Sequence, residues 1–169
     1  GATVFPFRPV DYQPEERIID NTMPHVEFYG DWRKGSAEQF YGDESDDVPY
    51  AVAAASLEET AVARYRPYIP VDGLYPVYVW ARDGADRSNQ LYRIRHSGGV
   101  AEMKVNWRRA GKTWAWLGTY HFNQGTSGCV EISNMVADPY EAYYGNVVIA
   151  DAVRFGNGHG DVPRPGGIS

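Results

Sequence analysis

An antiparallel all-β sandwich of jelly-roll type, with little or no helix, is the fold class this chain predicts, and three observations carry that expectation. With 18 Gly, 11 Pro, 13 Tyr and 5 Trp in 169 residues, it is rich in turn formers and in aromatic residues that suit a pleated surface. Apolar and polar residues alternate with period two in several short runs, as they do on a strand with one buried face. Turn signals recur about every ten residues, the spacing of sandwiches and jelly rolls. A chain of this length forms one domain able to bury a core without cross-links, and about eight to ten strands are expected in it.

Residues 1–16 carry Pro6, Pro9 and Pro14 among polar and aromatic residues and read as an extended lead-in. The domain proper runs over 17–155. Within Val48–Arg66, the stretch Ala51 to Thr60 has the Ala and Glu content of a helix. Pro49 and the alternation of Ala61, Ala63 and Tyr65 instead favour two short strands around a turn at Glu58–Glu59. Val77 and Val79 belong to the inner face of the strand that precedes the clearest hairpin. In that hairpin Tyr92 and Ile94 alternate with Arg93 and Arg95, Ser97-Gly98-Gly99 turns, and Met103 and Val105 alternate with Glu102 and Lys104. The apolar set faces inward and the charged set outward, and the apolar face extends through Trp107.

After a turn at Arg109–Lys112 comes the aromatic run Trp114 to Phe122. Trp114, Trp116, Tyr120 and Phe122 share a parity that Leu117 breaks, so a bulge or a doubly covered strand must intervene. Trp114, Tyr120 and Phe122 go to the core, and the side of Trp116 stays open. Val130 and Ile132 face inward and Glu131 outward. Val147 to Phe155 is apolar nearly throughout, which reads as one central strand with Val148 and Val153 inside. Residues 156–169, rich in Gly and Pro, read as a linker.

The formal net charge of -6 argues against sequence-independent nucleic-acid binding, which needs clustered Lys and Arg on phosphates. No run of apolar residues is long enough to span a membrane. Cys129, the single cysteine, forms no intrachain disulfide and reads as a small buried strand residue. His25, His96, His121 and His159 lack the spacing that puts two metal ligands on one face. Gly125-Thr126-Ser127-Gly128-Cys129 has Cys where a nucleophile elbow needs Gly, and no helix follows Gly156–Gly160 to make a phosphate loop. No catalytic residue is therefore assigned. Asp43, Glu44, Asp46 and Asp47 read as a solvated loop, with a calcium site as the alternative, since hard cations need several convergent oxygens. Asp151, a single acid in an apolar run, needs a partner, for which Arg64, Arg66 or a turn backbone are the candidates.

Exposed Trp and Tyr stack on the apolar face of a sugar ring while nearby charged and amide groups bind its hydroxyls. Two groups supply such material. One is Trp107, Arg108, Arg109 and Trp116, whose guanidinium groups suit an acidic sugar; the other is Trp32 with Tyr41. For each aromatic the competing reading is burial in a β core, and for Trp107 core extension stands beside the platform reading.

Five blocks, in this order, resemble the golvesin C-terminal-like domain: Ile18–Asn21, Ile69–Trp80, His96–Gly99 leading to Val105–Asn106, Leu117–Asn134, and Asn146–Phe155 before a Gly-rich tail. That module stands beside xanthan lyase and N-acetylmuramoyl-L-alanine amidase-type enzymes of bacterial surfaces. The resemblance spans about Arg17 to Phe155 and implies a galactose-binding-domain-like jelly roll with a hairpin over Val48–Arg66. It implies a non-catalytic accessory part of a secreted or envelope protein, placed extracellularly, in the periplasm or at the cell surface beside neighbouring domains. Three functions stay open: binding cell-wall or extracellular polysaccharide, including peptidoglycan, to target an attached enzyme; a structural spacer or protein-interaction module without glycan affinity; or a fragment of a polysaccharide lyase or amidase.

Overall fold

In a computed structural model, which describes residues 17–20, 25–34, 51–81, 87–107, 114–143 and 145–156, the β-branched and aromatic runs form strands while Gly- and Pro-bearing stretches turn the chain. The strands are β1 (Arg17–Asp20), β2 (Val26–Tyr29), β3 (Arg33–Lys34), β4 (Ala51–Ala54), β5 (Val62–Tyr65), β6 (Gly73–Trp80), β7 (Asn89–His96), β8 (Gly99–Asn106), β9 (Trp114–Phe122), β10 (Cys129–Ser133), β11 (Val147–Ala150) and β12 (Ala152–Phe155). A single turn of helix, α1 (Pro139–Tyr143), stands between β10 and β11. They form a four-stranded sheet β1-β12-β6-β9, a five-stranded sheet β2-β5-β10-β7-β8 and a three-stranded sheet β11-β4-β3, with every strand pair antiparallel. Val77 and Val79, Tyr92 and Ile94, Val130 and Ile132, and Val148 and Val153 all lie in one apolar core. The molecule is thus the antiparallel β-sandwich that the alternation predicts.

On the outer face of the five-stranded sheet, one residue from each strand lines up in register. The row reads Glu27, Arg64, Glu131, Arg93, Glu102, alternating in sign across β2, β5, β10, β7 and β8. Opposite charges directly across from one another stabilise a pairing by roughly 0.2–1 kcal/mol each. Glu131, at the centre, accepts from Arg64 Nε at 2.9 Å, from Arg95 Nε at 3.0 Å and Nη2 at 3.1 Å, and from Arg93 Nη1 at 3.3 Å. Arg93 also meets Glu102 at 3.4 Å and pairs with Glu59, whose carboxylate takes the Ser133 hydroxyl at 2.6 Å.

Four expectations need correction. Glu131 does point outward, but it is only 1% exposed because three guanidinium groups close over it. Met103 points inward opposite Tyr92, yet β8 is an edge strand and leaves it 36% exposed. Two short strands do occur between Val48 and Arg66, but β4 and β5 do not pair; they belong to different sheets. Asn134 holds the crossing between them, its amide donating to Ala54 O and Thr60 Oγ1 while its carbonyl accepts from the N–H groups of Thr60 and Ala61. The apolar run to Phe155, read as one strand, splits at Asp151 into β11 and β12, which raises the strand count to twelve among the described residues.

At that split the chain passes from one sheet to another, and buried side chains fasten it. Tyr65 donates its hydroxyl to Asp151 O at 2.8 Å. Gln90, fully buried on β7, imitates a strand backbone: its amide donates to Ile149 O at 2.7 Å and its carbonyl accepts from Ile149 N–H at 2.9 Å. Arg64 and Arg66, expected beside Asp151, are engaged elsewhere, Arg64 on Glu131 and Glu27, Arg66 on Thr126 O and Glu27. Directly after the split β12 pairs with the edge strand β1, Ala152 opposite Asp20 and Phe155 opposite Arg17. The segments 1–16 and 157–169, read as lead-in and linker, lie outside the described residues.

Burial alone would raise the Glu131 carboxyl, but the hydrogen bonds from Arg95 and Arg64 outweigh it and hold the group below the ordinary carboxylate range. Its folded-state pKa lies below the unfolded value, so its contribution is complete above the unfolded pKa of about 4.3 and is lost as pH falls through the folded one. Urea unfolding should therefore show stability constant near neutrality and falling below about pH 4.3. Glu131→Gln should remove about 3 kcal/mol at pH 7, the low end for breaking a buried pair, and should flatten that acid limb.

Candidate functional site

Trp107 is fully buried, in the same core as Tyr92 and Val105, and its indole N–H donates to the Tyr92 hydroxyl at 2.9 Å. Gln90 donates to the same oxygen at 2.7 Å. Burial pushes the Tyr92 phenol far above its ordinary range, so it stays neutral and available to both donors. The platform reading of Trp107 is therefore corrected to core extension: the inward parity of Met103 and Val105 carries on past the end of β8. Arg108 and Arg109, expected beside it, lie outside the described residues, as do Tyr41 and the acidic run Asp43, Glu44, Asp46 and Asp47.

Trp116 has the opposite fate, because of a bulge. The register of β9 against β6 shifts between Val77 and Tyr78, so that Gly118 faces Val77, Trp116 faces Tyr78, and Leu117 is the extra residue. Gly118 adopts φ +117°, which L side chains rarely take, and a Cβ there would meet the Tyr120 hydroxyl at 2.7 Å. That hydroxyl in turn donates to Leu117 O at 2.8 Å, securing the bulge. Leu117 drops into the core and Trp116 is left on the outer face, 55% exposed. Phe122, beyond the bulge, lies in the core as expected, and Tyr120 is half-buried against it. Trp114, expected in the core, is buried but sits on the outward side with Tyr78, Trp80 and Ala152 in a second small cluster.

The outer face of the four-stranded sheet thus carries a row Arg154, Tyr78, Trp116 across β12, β6 and β9, beside a row Ala152, Trp80, Trp114. The Arg154 guanidinium stands 4.2 Å from the centroid of the Tyr78 ring and 6.0 Å from that of Trp114, a cation–π arrangement. Trp80 and Trp114 meet edge to face at 5.7 Å. Among the described residues, Trp116 is the exposed indole of this face. Farther along the same two strands lie Leu74, 60% exposed, and opposite it His121. The His121 Nδ1 is 2.8 Å from Ser97 Oγ, in the turn between β7 and β8. Sequence spacing hid this Ser–His contact, since it joins residues from different sheets.

Trp32, the alternative anchor, is half-buried; it meets Phe28 edge to face at 5.7 Å and donates its indole N–H to Tyr29 O at 3.0 Å. Tyr29, half exposed, lies under the Arg64 guanidinium at 5.2 Å. Trp107, Trp116 and Trp32 therefore occupy three separate places and do not form one platform. On the five-stranded side a shallow cavity of about 270 Å³ is lined by Leu57, Leu91, Met135, Val136, Ala137 and Lys104. Its wall is mainly apolar and offers one charged group. Cys129 is buried, and burial, with Glu131 nearby, pushes its thiol up, so it is a poor nucleophile. No described helix is long and apolar enough to cross a membrane.

Comparison with known proteins agrees with this architecture. A family model described as the golvesin C-terminal domain matches residues 17–157. A xanthan lyase of Bacillus sp. (strain GL1) is 31% identical over 141 residues, which is 82% of this chain and 14% of the lyase. The structure of a Paenibacillus xanthan lyase superposes with a TM-score of 0.72 at 28% identity, over 85% of this chain and 13% of that one. A family 35 carbohydrate binding module from Clostridium thermocellum superposes with a TM-score of 0.50 at 16% identity, covering 83% of this chain and 98% of the module, a likeness of fold. The chain thus spans about one-seventh of the curated relative that it matches.

Trp107→Ala should cost about 3–5 kcal/mol by leaving a large cavity, and Trp107→Phe should cost less but still lose the bond to Tyr92. Thermal unfolding of both variants, set beside Trp116→Ala with a melting temperature close to that of the parent, separates the buried ring from the exposed one.

Proposed function

Because this chain belongs to the golvesin C-terminal domain family, we propose that it is a non-catalytic module that binds an extracellular polysaccharide through the Trp116 face and holds a neighbouring catalytic part at its substrate. One observation carries the reading: a bulge turns Trp116 out of the core on a sheet face whose other large rings are buried. An exposed indole on a flat strand surface offers sequence-tolerant stacking to the apolar face of a pyranose. Binding of this kind acts by raising the local concentration of polymer around an attached enzyme. The xanthan lyase relatives make xanthan the first polymer to test, and an extracellular location follows from the same reading.

The residues support binding better than turnover. Ser97 and His121 touch at 2.8 Å, yet both are exposed, and no described carboxylate bonds the other nitrogen of His121 to orient it. A serine nucleophile needs a base held by a third group and donors for the developing oxyanion. On the five-stranded face Arg64, Arg93 and Arg95 are committed to Glu131, which favours the aromatic face as the contact surface.

Calorimetric titration of the chain with xanthan should show binding, and Trp116→Ala should weaken it at least about tenfold, equivalent to ~1.4 kcal/mol, with an unchanged melting temperature. No heat with the parent chain at low salt would leave a structural spacer as the better reading. Turnover of xanthan by the isolated chain that disappears in Ser97→Ala would make it an enzyme fragment.

A further inference from the structure

Resting on that proposed function, we infer that the Trp116 face takes the interior of an extended polysaccharide chain, along a track that follows β6 and β9 from Trp116 to Leu74 and His121. The bulge at Leu117 restores parity, so that Trp116, Thr119 and His121 project from the same face as their register partners Tyr78, Pro76 and Leu74. The two exposed apolar groups, Trp116 and Leu74, stand at opposite ends of this line. Tyr78 and Leu74 are four positions apart on β6, a separation of about 13 Å at ~3.3 Å per residue. That length exceeds a single sugar ring. A chain end needs a site that closes around one ring, whereas two neighbouring strands present side chains in straight rows.

The chemistry along the line suits repeating units. Trp116 supplies a stacking surface at one end, Thr119 a hydroxyl in the middle, and His121 at the far end an imidazole steadied by Ser97. Stacking at one end and hydrogen bonding at the other are used together only by a ligand long enough to reach both. Affinity therefore grows with ligand length and then levels off.

The test is titration of the chain with oligosaccharides of increasing length cut from xanthan, and with intact xanthan whose reducing ends have been chemically capped. Short oligosaccharides should bind weakly and longer ones progressively better, with the capped polymer bound as well as the native one. The double substitution Leu74→Ala/His121→Ala should bring long oligosaccharides down to the affinity of short ones and leave the short ones unchanged, since Trp116 remains. Equal affinity for the shortest oligosaccharide and the polymer, or loss of binding on capping, would overturn the interior-chain inference while leaving polysaccharide binding intact. Failure of the parent chain to bind native xanthan or any of its fragments would overturn the proposed function and the inference together.

Discussion

The carboxylate of Glu131 lies under three guanidinium groups, and the arrangement of the five-stranded sheet depends on it. Around it the row of alternating charges joins one residue from every strand of that sheet. A slip of one residue in any strand would exchange its two faces. In β5 or β7, which flank Glu131, the slip would also place an inner apolar residue against the buried acid and leave a buried charge without its partner, which is far costlier than the loss of a surface ion pair. Register and burial are thus specified by the same group. The arrangement has a functional side as well, because the guanidinium groups that an acidic ligand would seek on this face already face carboxylates of the chain itself.

The opposite sheet is organised by apolar rings, and there one irregularity decides what meets solvent. The Leu117 bulge, supported by Gly118 and by the Tyr120 hydroxyl, lets the same strand place Phe122 in the core and Trp116 outside it. Between the sheets, Gln90 and Tyr65 supply the backbone of β11 and Asp151 with partners that a regular ladder would have provided. Buried polar side chains take the place of strand pairing where the chain changes sheets. The charged face and the aromatic face are therefore both consequences of how the backbone is satisfied, one by register and one by exception to it.

Period-two alternation was a sound guide to side and a poor one to exposure. It placed Tyr92, Ile94, Val130, Ile132, Val77 and Val79 on the inner faces where they lie. Glu131 and Met103 are also on the predicted sides, but exposure depends on neighbours from other strands, three arginines in one case and the open edge of β8 in the other. Trp107 follows the inward parity of its strand, and the arginines beside it in sequence have no bearing on its side. Asp151 stands out as the single acid in a run that is apolar nearly throughout, but that it marks a change of sheet is a tertiary fact with little local signature. The exposed side of Trp116 was legible only as a contradiction between its parity and that of Leu117, and a bulge is what resolves it. The family resemblance reached the fold by a different route, through whole blocks such as Leu117–Asn134, and it carried no set of contact residues.

The pairing of β1 with β12 has a mechanical meaning. Arg17 lies opposite Phe155, so the start of β1 and the end of β12 meet at one corner of one sheet. A load applied between those two points would act across the β1–β12 ladder as on a zipper, opening its hydrogen bonds in sequence instead of shearing them all at once. The domain would yield first at this four-residue seam, while Glu131 and its arginines, on the other sheet, would feel the tension last. A body attached in this way hangs to the side of the line of force, and tension along the chain need not deform the face that carries Trp116.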